Sequence, residues 1–112
     1  MSKDYVVPFE LTELDGLSIT AAWKAINPDG FLLPCIRLRI INSTYAHMFI
    51  SYDGYYSHEF LDARDELEIN FQTNSSPNNK KSMFSKGTIV YVKRGVDIPK
   101  GHSVKLIAYG TI

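Results

Sequence analysis

His47, His58 and His102, the lone thiol of Cys35, and the carboxylates of "SHEFLDARDELE" are the side chains in this 112-residue chain that could do chemistry. Three histidines could ligate a metal or move protons, but none stands at metal-binding spacing from another, and neither CxxC nor HExxH occurs. His58 and Glu59 are adjacent, so on a strand they point to opposite faces and share no site. Asp53 in "SYDGYY" offers one oxygen where a calcium loop needs several within a short span. Its pairing with Gly54 reads instead as a turn. Cys35 lies between Pro34 and Ile36 at the start of an apolar run, which makes it a small buried hydrophobe rather than a nucleophile. With one cysteine, no internal disulfide can form. The glycines are scattered singly, with no phosphate-cradling loop and no GxSxG elbow. The carboxylates of "FLDARDELE" read as a solvated rim, and proximity in sequence does not make a glycosidase pair. The expectation is a protein that is not an enzyme and needs no cofactor or metal.

The elements that would position these residues are strands. "LSITAAW" places Leu17, Ile19, Ala21 and Trp23 on one face at period two. Asn27-Pro28-Asp29-Gly30 is turn chemistry. "CIRLRII" alternates Ile36, Leu38 and Ile40 with Arg37 and Arg39. "AHMFISY" sets Met48, Ile50 and Tyr52 opposite His47, Phe49 and Ser51. Asp53-Gly54 signals a hairpin, since both residues tolerate positive φ, and "YYSHEF" returns. In "ELEINFQ", Leu67, Ile69 and Phe71 oppose Glu66, Glu68, Asn70 and Gln72. "TIVYVK" and "SVKLIAYG" close the chain, the latter with Val104, Leu106 and Ala108 on one side. About seven to eight short strands with turns every 8–12 residues predict one all-β domain over 1–112, a single antiparallel β-sandwich of jelly-roll or Ig-like type. There is no room for the helical crossovers of a parallel sheet.

Composition fits that reading. Hydrophobic residues make up 45% and charged residues 21%, an ordinary globular balance. A chain this long buries roughly 65% of its unfolded surface without metals or disulfides. Net charge is +0, which argues against general attraction to nucleic acid or anionic membrane. No window approaches the ~20 apolar residues of a membrane span. "MSKDYVVPFELTEL" lacks the apolar core of a signal peptide, so synthesis in the cytoplasm is expected.

Binding has more support than catalysis. Tyr45, Tyr52, Tyr55, Tyr56 and Trp23 are amphipathic anchors of the kind enriched at interfaces. If the strand after Asp53-Gly54 is regular, Tyr55 and Tyr56 cannot both point inward. The polar stretch Thr73 to Gly87 reads as a long mobile or partner-docking loop. Its Met83 and Phe84 either tuck onto the sandwich edge or meet a partner. Arg37 and Arg39 are expected to pair across the sheet with Glu66 and Glu68. The basic residues are not interleaved with aromatics as in single-strand nucleic-acid binders.

"LRIINSTYAHMFISYDGYYSHEFL", "LEINFQTN" and "KGTIVYVKRG", over about Leu38 to Ile112, resemble small virion proteins of tailed bacteriophages. The shared pattern is a strand ending in Asn, a short corner, an "isyDG" hairpin opening, and a late "G-T-x-[IV]-Y-V-K" strand. These are turn and strand motifs, not an active site, and the first 35 residues fall outside them. The resemblance implies a β-sandwich packed in symmetric arrays as a capsid, head–tail connector or tail component, localised in the virion. Its expected partners are other virion proteins and copies of itself as a homo-oligomer. Tyr45, Tyr55, Tyr56, Met83 and Phe84 are the candidate partner-binding residues. Two other classes stay open: a carbohydrate-binding or receptor-binding module, and an enzyme accessory or inhibitor.

Overall fold

A computed structural model of the chain describes residues 6–71 and 83–112. Two antiparallel sheets pack face to face as a β-sandwich. The described residues form nine strands, rather than seven to eight: β1 Val6–Pro8, β2 Thr12–Asp15, β3 Lys24–Ala25, β4 Cys35–Asn42, β5 Met48–Ser51, β6 Glu59–Leu61, β7 Glu66–Asn70, β8 Tyr91–Arg94 and β9 Ser103–Thr111. The first sheet runs β1-β9-β4-β7, with β2 also on β9; the second runs β3-β8-β5-β6.

The strictest alternation makes the longest strands. In β4, Leu38 and Ile40 are fully buried while Arg37 and Arg39 stay half-exposed. A register shift between Cys35 and Arg37 turns both Cys35 and Ile36 inward, as a bulge does. In β9, Val104, Leu106 and Ala108 are buried. They meet Met48, Ile50, Leu61 and Val92 of the second sheet, and Val90 just before β8, in one core. Each such aliphatic side chain contributes about 1.5–3 kcal/mol on burial. On the outer face of the first sheet, Arg37 bonds Glu68 at 3.0 Å and Arg39 bonds Glu66 at 2.8 Å. Both pairs run diagonally across the β4–β7 ladder, where Arg39 lies opposite Glu68.

Two local expectations are corrected. "LSITAAW" is not a strand. Gly16–Ser18 form a 3-10 turn, with the Asp15 carboxylate accepting the Leu17 amide at 3.0 Å. A Cβ on Gly16 would sit 2.5 Å from the Gly101 carbonyl oxygen, so the turn packs backbone on backbone. The chain here crosses from β2 in one sheet to β3 in the other; Ile19 is buried, whereas Ala21 is exposed. Nor is Asp53-Gly54 the centre of a tight hairpin. β5 pairs β6 with Ile50 opposite Glu59, so the connection is a wide loop and the return strand begins only at Glu59.

The registers define two poles. β4 ends, β9 begins and β7 begins at one end, where Asn42 faces Val104 and Ile41 faces Glu66. The short link 43–47 carries the chain to Met48, opposite Arg94 and Leu61. Loops 43–47, 62–65 and 95–102 therefore share the first pole. Loops 52–58 and 26–34 and residues 84–90 share the second.

Candidate functional site

At the first pole, Asn42 is buried at the end of β4 and ties the corner together. Its amide nitrogen donates to the carbonyl oxygens of Ala46 at 2.8 Å and Asp62 at 3.0 Å. Its Oδ1 accepts from the Thr44 amide at 3.0 Å and the Thr44 hydroxyl at 2.6 Å. With Asn42, Thr44 and Ala46 all buried, Tyr45 between them is turned outward and is 71% exposed. The Arg64 guanidinium carbon lies 5.0 Å from the Tyr45 ring centre, a cation–π distance. The His102 ring meets Tyr45 edge-on at 5.5 Å. Arg64 and His102 are also the non-glycine residues with positive φ among the described residues, at 62° and 63°. Such backbone is uncommon outside glycine and clusters at functional sites; here it flanks one exposed tyrosine.

Beside Tyr45 runs a groove of about 610 Å³ lined by Val96, Asp97, Ile98, Lys100, Gly101 and His102. Val96 is 87% exposed and Ile98 65%, while Pro99 between them and Lys100 is buried and anchors the loop. Sequence reasoning missed Val96 and Ile98. Their only signal is that two large aliphatics stand in the turn-rich "GVDIPKG" without a strand period.

At the second pole, the Asp53 carboxylate folds the loop. Oδ1 accepts the amides of Tyr55 at 2.8 Å and Tyr56 at 3.0 Å, and the Ser51 hydroxyl at 2.9 Å. These amides hold the Asp53 carboxyl below the usual carboxylate range, helped by the Ser51 hydroxyl and by His58, whose Nε2 lies 3.8 Å away. Gly54 takes φ 80°, and a Cβ there would press on the Tyr91 ring at 3.3 Å. Tyr55 and Tyr56 are both exposed, because they occupy a loop rather than a regular strand.

Met83 is exposed at 38%. Phe84 is half-buried: its ring lies 4.7 Å from Tyr52, 5.3 Å from Phe71 and 6.5 Å from Phe31. Its amide and carbonyl pair with those of Cys35 at 2.9 and 2.8 Å. The Phe84 ring thus tucks onto the sandwich. Most of the loop expected over 73–87, from 73 to 82, lies outside the described residues. The five candidate residues are not one site. Tyr45 stands at the first pole, and Tyr55, Tyr56, Met83 and Phe84 at the second.

Cys35 is fully buried, and burial pushes its thiol up to about 11. His47 packs against Phe49 and Phe60, His58 against Tyr52, and His102 against Tyr45. Among the described residues, no group of three or more His, Cys, Asp or Glu is placed to hold a metal ion. A second cavity, about 300 Å³, opens beside β1 and is walled largely by apolar residues such as Pro8, Phe9, Phe31, Leu32 and Leu106. Among the described residues, no helix is long and apolar enough to cross a membrane.

No family model matches the chain, and no curated protein matches its sequence.

Proposed function

We propose that this protein is a non-catalytic structural module of a tailed-phage virion that works by docking to copies of itself and to neighbouring virion proteins. The observation that carries the docking role is the placement of exposed Tyr45 at one pole and exposed Tyr55 and Tyr56 at the other. A sandwich with an aromatic anchor at each end can touch a neighbour on both sides, as a subunit in a ring, shell or tube must. Tyrosine suits this use: the ring supplies contact area and the hydroxyl a polar handle. The virion assignment draws on the resemblance of the Leu38–Ile112 strand and turn motifs to phage virion proteins. A glycan-binding role is the competing reading for the same tyrosines, but Tyr55 and Tyr56 stand on a loop tip rather than a flat sheet face.

Quantitative mass spectrometry of particles purified from the system that encodes the chain tests the proposal. The expected result is the chain at fixed stoichiometry with the capsid or tail proteins. Its absence from particles, or saturable binding to a glycan array through Tyr55, would overturn it.

A further inference from the structure

We infer that the Tyr55–Tyr56 tip of one copy docks into the Tyr45–Val96–Ile98 groove of the next, so that the chain associates head to tail. The inference rests on the docking role proposed above and specifies the partner and the geometry. Both halves of the contact are present on this chain. Tyr45, Val96 and Ile98 give the groove an apolar side, Lys100 and Asp97 are its charged residues, and Arg64 stands beside it against the Tyr45 ring. Among the described residues, Arg64 and Lys100 have no carboxylate within 4.0 Å, and the Arg64 guanidinium meets the Ser43 carbonyl at 2.6 Å and the Tyr45 ring. Asp97 is the one acid lining the groove. The tip carries the converse: two exposed rings beside an Asp53 carboxylate already fixed by its own loop. Tyr55 and Tyr56 would fill the groove while Asp53 faces Lys100 and Arg64. At about 610 Å³ the groove falls within the 300–1,000 Å³ typical of sites that enclose a small ligand.

Copies stacked pole to pole make a heterologous contact, which leaves a tip open at one end and a groove at the other, so association continues to a ring or filament. A wild type that stops at dimers would instead mean an antiparallel pair closed about a two-fold axis, and would overturn the head-to-tail arrangement. Two tyrosines bring roughly 150–250 Å² each; doubled for the groove walls that cover them, the contact buries about 600–1,000 Å², at or below the ~1,000 Å² lower bound of specific interfaces. Each contact is weak alone and gains strength by repetition.

The test uses the full chain in two variants, both altered only at exposed positions. The tip variant is Tyr55→Ala/Tyr56→Ala; the groove variant is Val96→Glu/Ile98→Glu. Circular dichroism checks that each folds. In sedimentation velocity up to millimolar concentration, the wild type should form a concentration-dependent series of species. Each variant alone should stay monomeric. An equimolar mixture should yield dimers and nothing larger, because the tip of the groove variant meets the groove of the tip variant and every other surface is dead. A monomeric wild type, variants that still associate, or a mixture that fails to dimerise would each overturn the inference. If the wild type is monomeric yet present in particles, head-to-tail docking fails while the virion reading stands. If docking is intact and the chain is absent from particles, the virion reading alone fails.

Discussion

Asp53 reaches over its own turn to accept the Tyr55 amide at 2.8 Å, and this bond fixes the loop that displays the two most exposed tyrosine rings after β5. The loop is therefore built before any partner arrives. A contact that needs little ordering loses less affinity to entropy.

Asp53→Ala is expected to loosen that loop without disturbing the core. The amides of Tyr55 and Tyr56 should lose hydrogen-exchange protection, while those of β4 and β9 keep theirs. The wild type should show the same loss in strong acid. The Asp53 carboxyl is held below its ordinary value, so its contribution is fully present above that value and lost as pH falls through the lower folded one. Protection that survives in the Ala variant would contradict this account of the loop.

Asn42→Ala should destabilise the fold by about 2–4 kcal/mol in denaturant melts. The substitution removes four side-chain hydrogen bonds. It also strands the buried Thr44 amide, at about 1–3 kcal/mol if left unmet, whereas the Thr44 hydroxyl and the Ala46 carbonyl keep each other and the Asp62 carbonyl keeps the Asp65 amide. A change under 1 kcal/mol would mean that the corner is held by other contacts.

The sheet was far more legible in the sequence than the poles. In β4, β7 and β9, one face is more deeply buried than the other, so alternation at period two is enforced by the core and visible in the residues. The Arg37–Glu68 and Arg39–Glu66 pairs followed from the same logic. "LSITAAW" alternates equally well but forms no strand, because Asp15-Gly16 starts a turn and the segment must cross between sheets. Asp53-Gly54 was recognisable as a turn, but not that its carboxylate would latch the amides of Tyr55 and Tyr56 and widen the loop. Val96 and Ile98 carry no period, since their exposure is set by a buried Pro99 and by packing from distant loops. Phe84 could not be placed from sequence because three of its partners, Cys35, Tyr52 and Phe31, are at least 32 residues away and the fourth, Phe71, is 13 away.

A double-mutant cycle on Arg39 and Glu66 should return a coupling of about 0.2–1 kcal/mol, shrinking in high salt. Both side chains are substantially solvated, which screens the pair despite its 2.8 Å contact. A coupling well above that range would mean the outer face of the first sheet is drier than its exposure indicates.

Cys35 should resist thiol reagents at pH 8 in the native state and react on unfolding. Its folded pKa of about 11 lies above the ordinary 9.0. The unfolded thiol therefore ionises first as pH rises, and stability should fall between pH 9 and 11, by roughly 2–3 kcal/mol. Burial also pushes the Tyr52 hydroxyl up, which adds to the slope at the alkaline end. Cys35→Ala should flatten the early part of this decline. Fast native-state labelling would contradict the burial of the thiol.

Photo-cross-linking from the tip measures the central relationship most directly. A benzophenone side chain at position 55, in a mixture of isotopically light and heavy copies, should link between copies to peptides spanning 96–102 or Tyr45. Links from position 55 to the same loop of another copy, or a complete lack of inter-copy products at concentrations where the chain associates, would contradict the head-to-tail account.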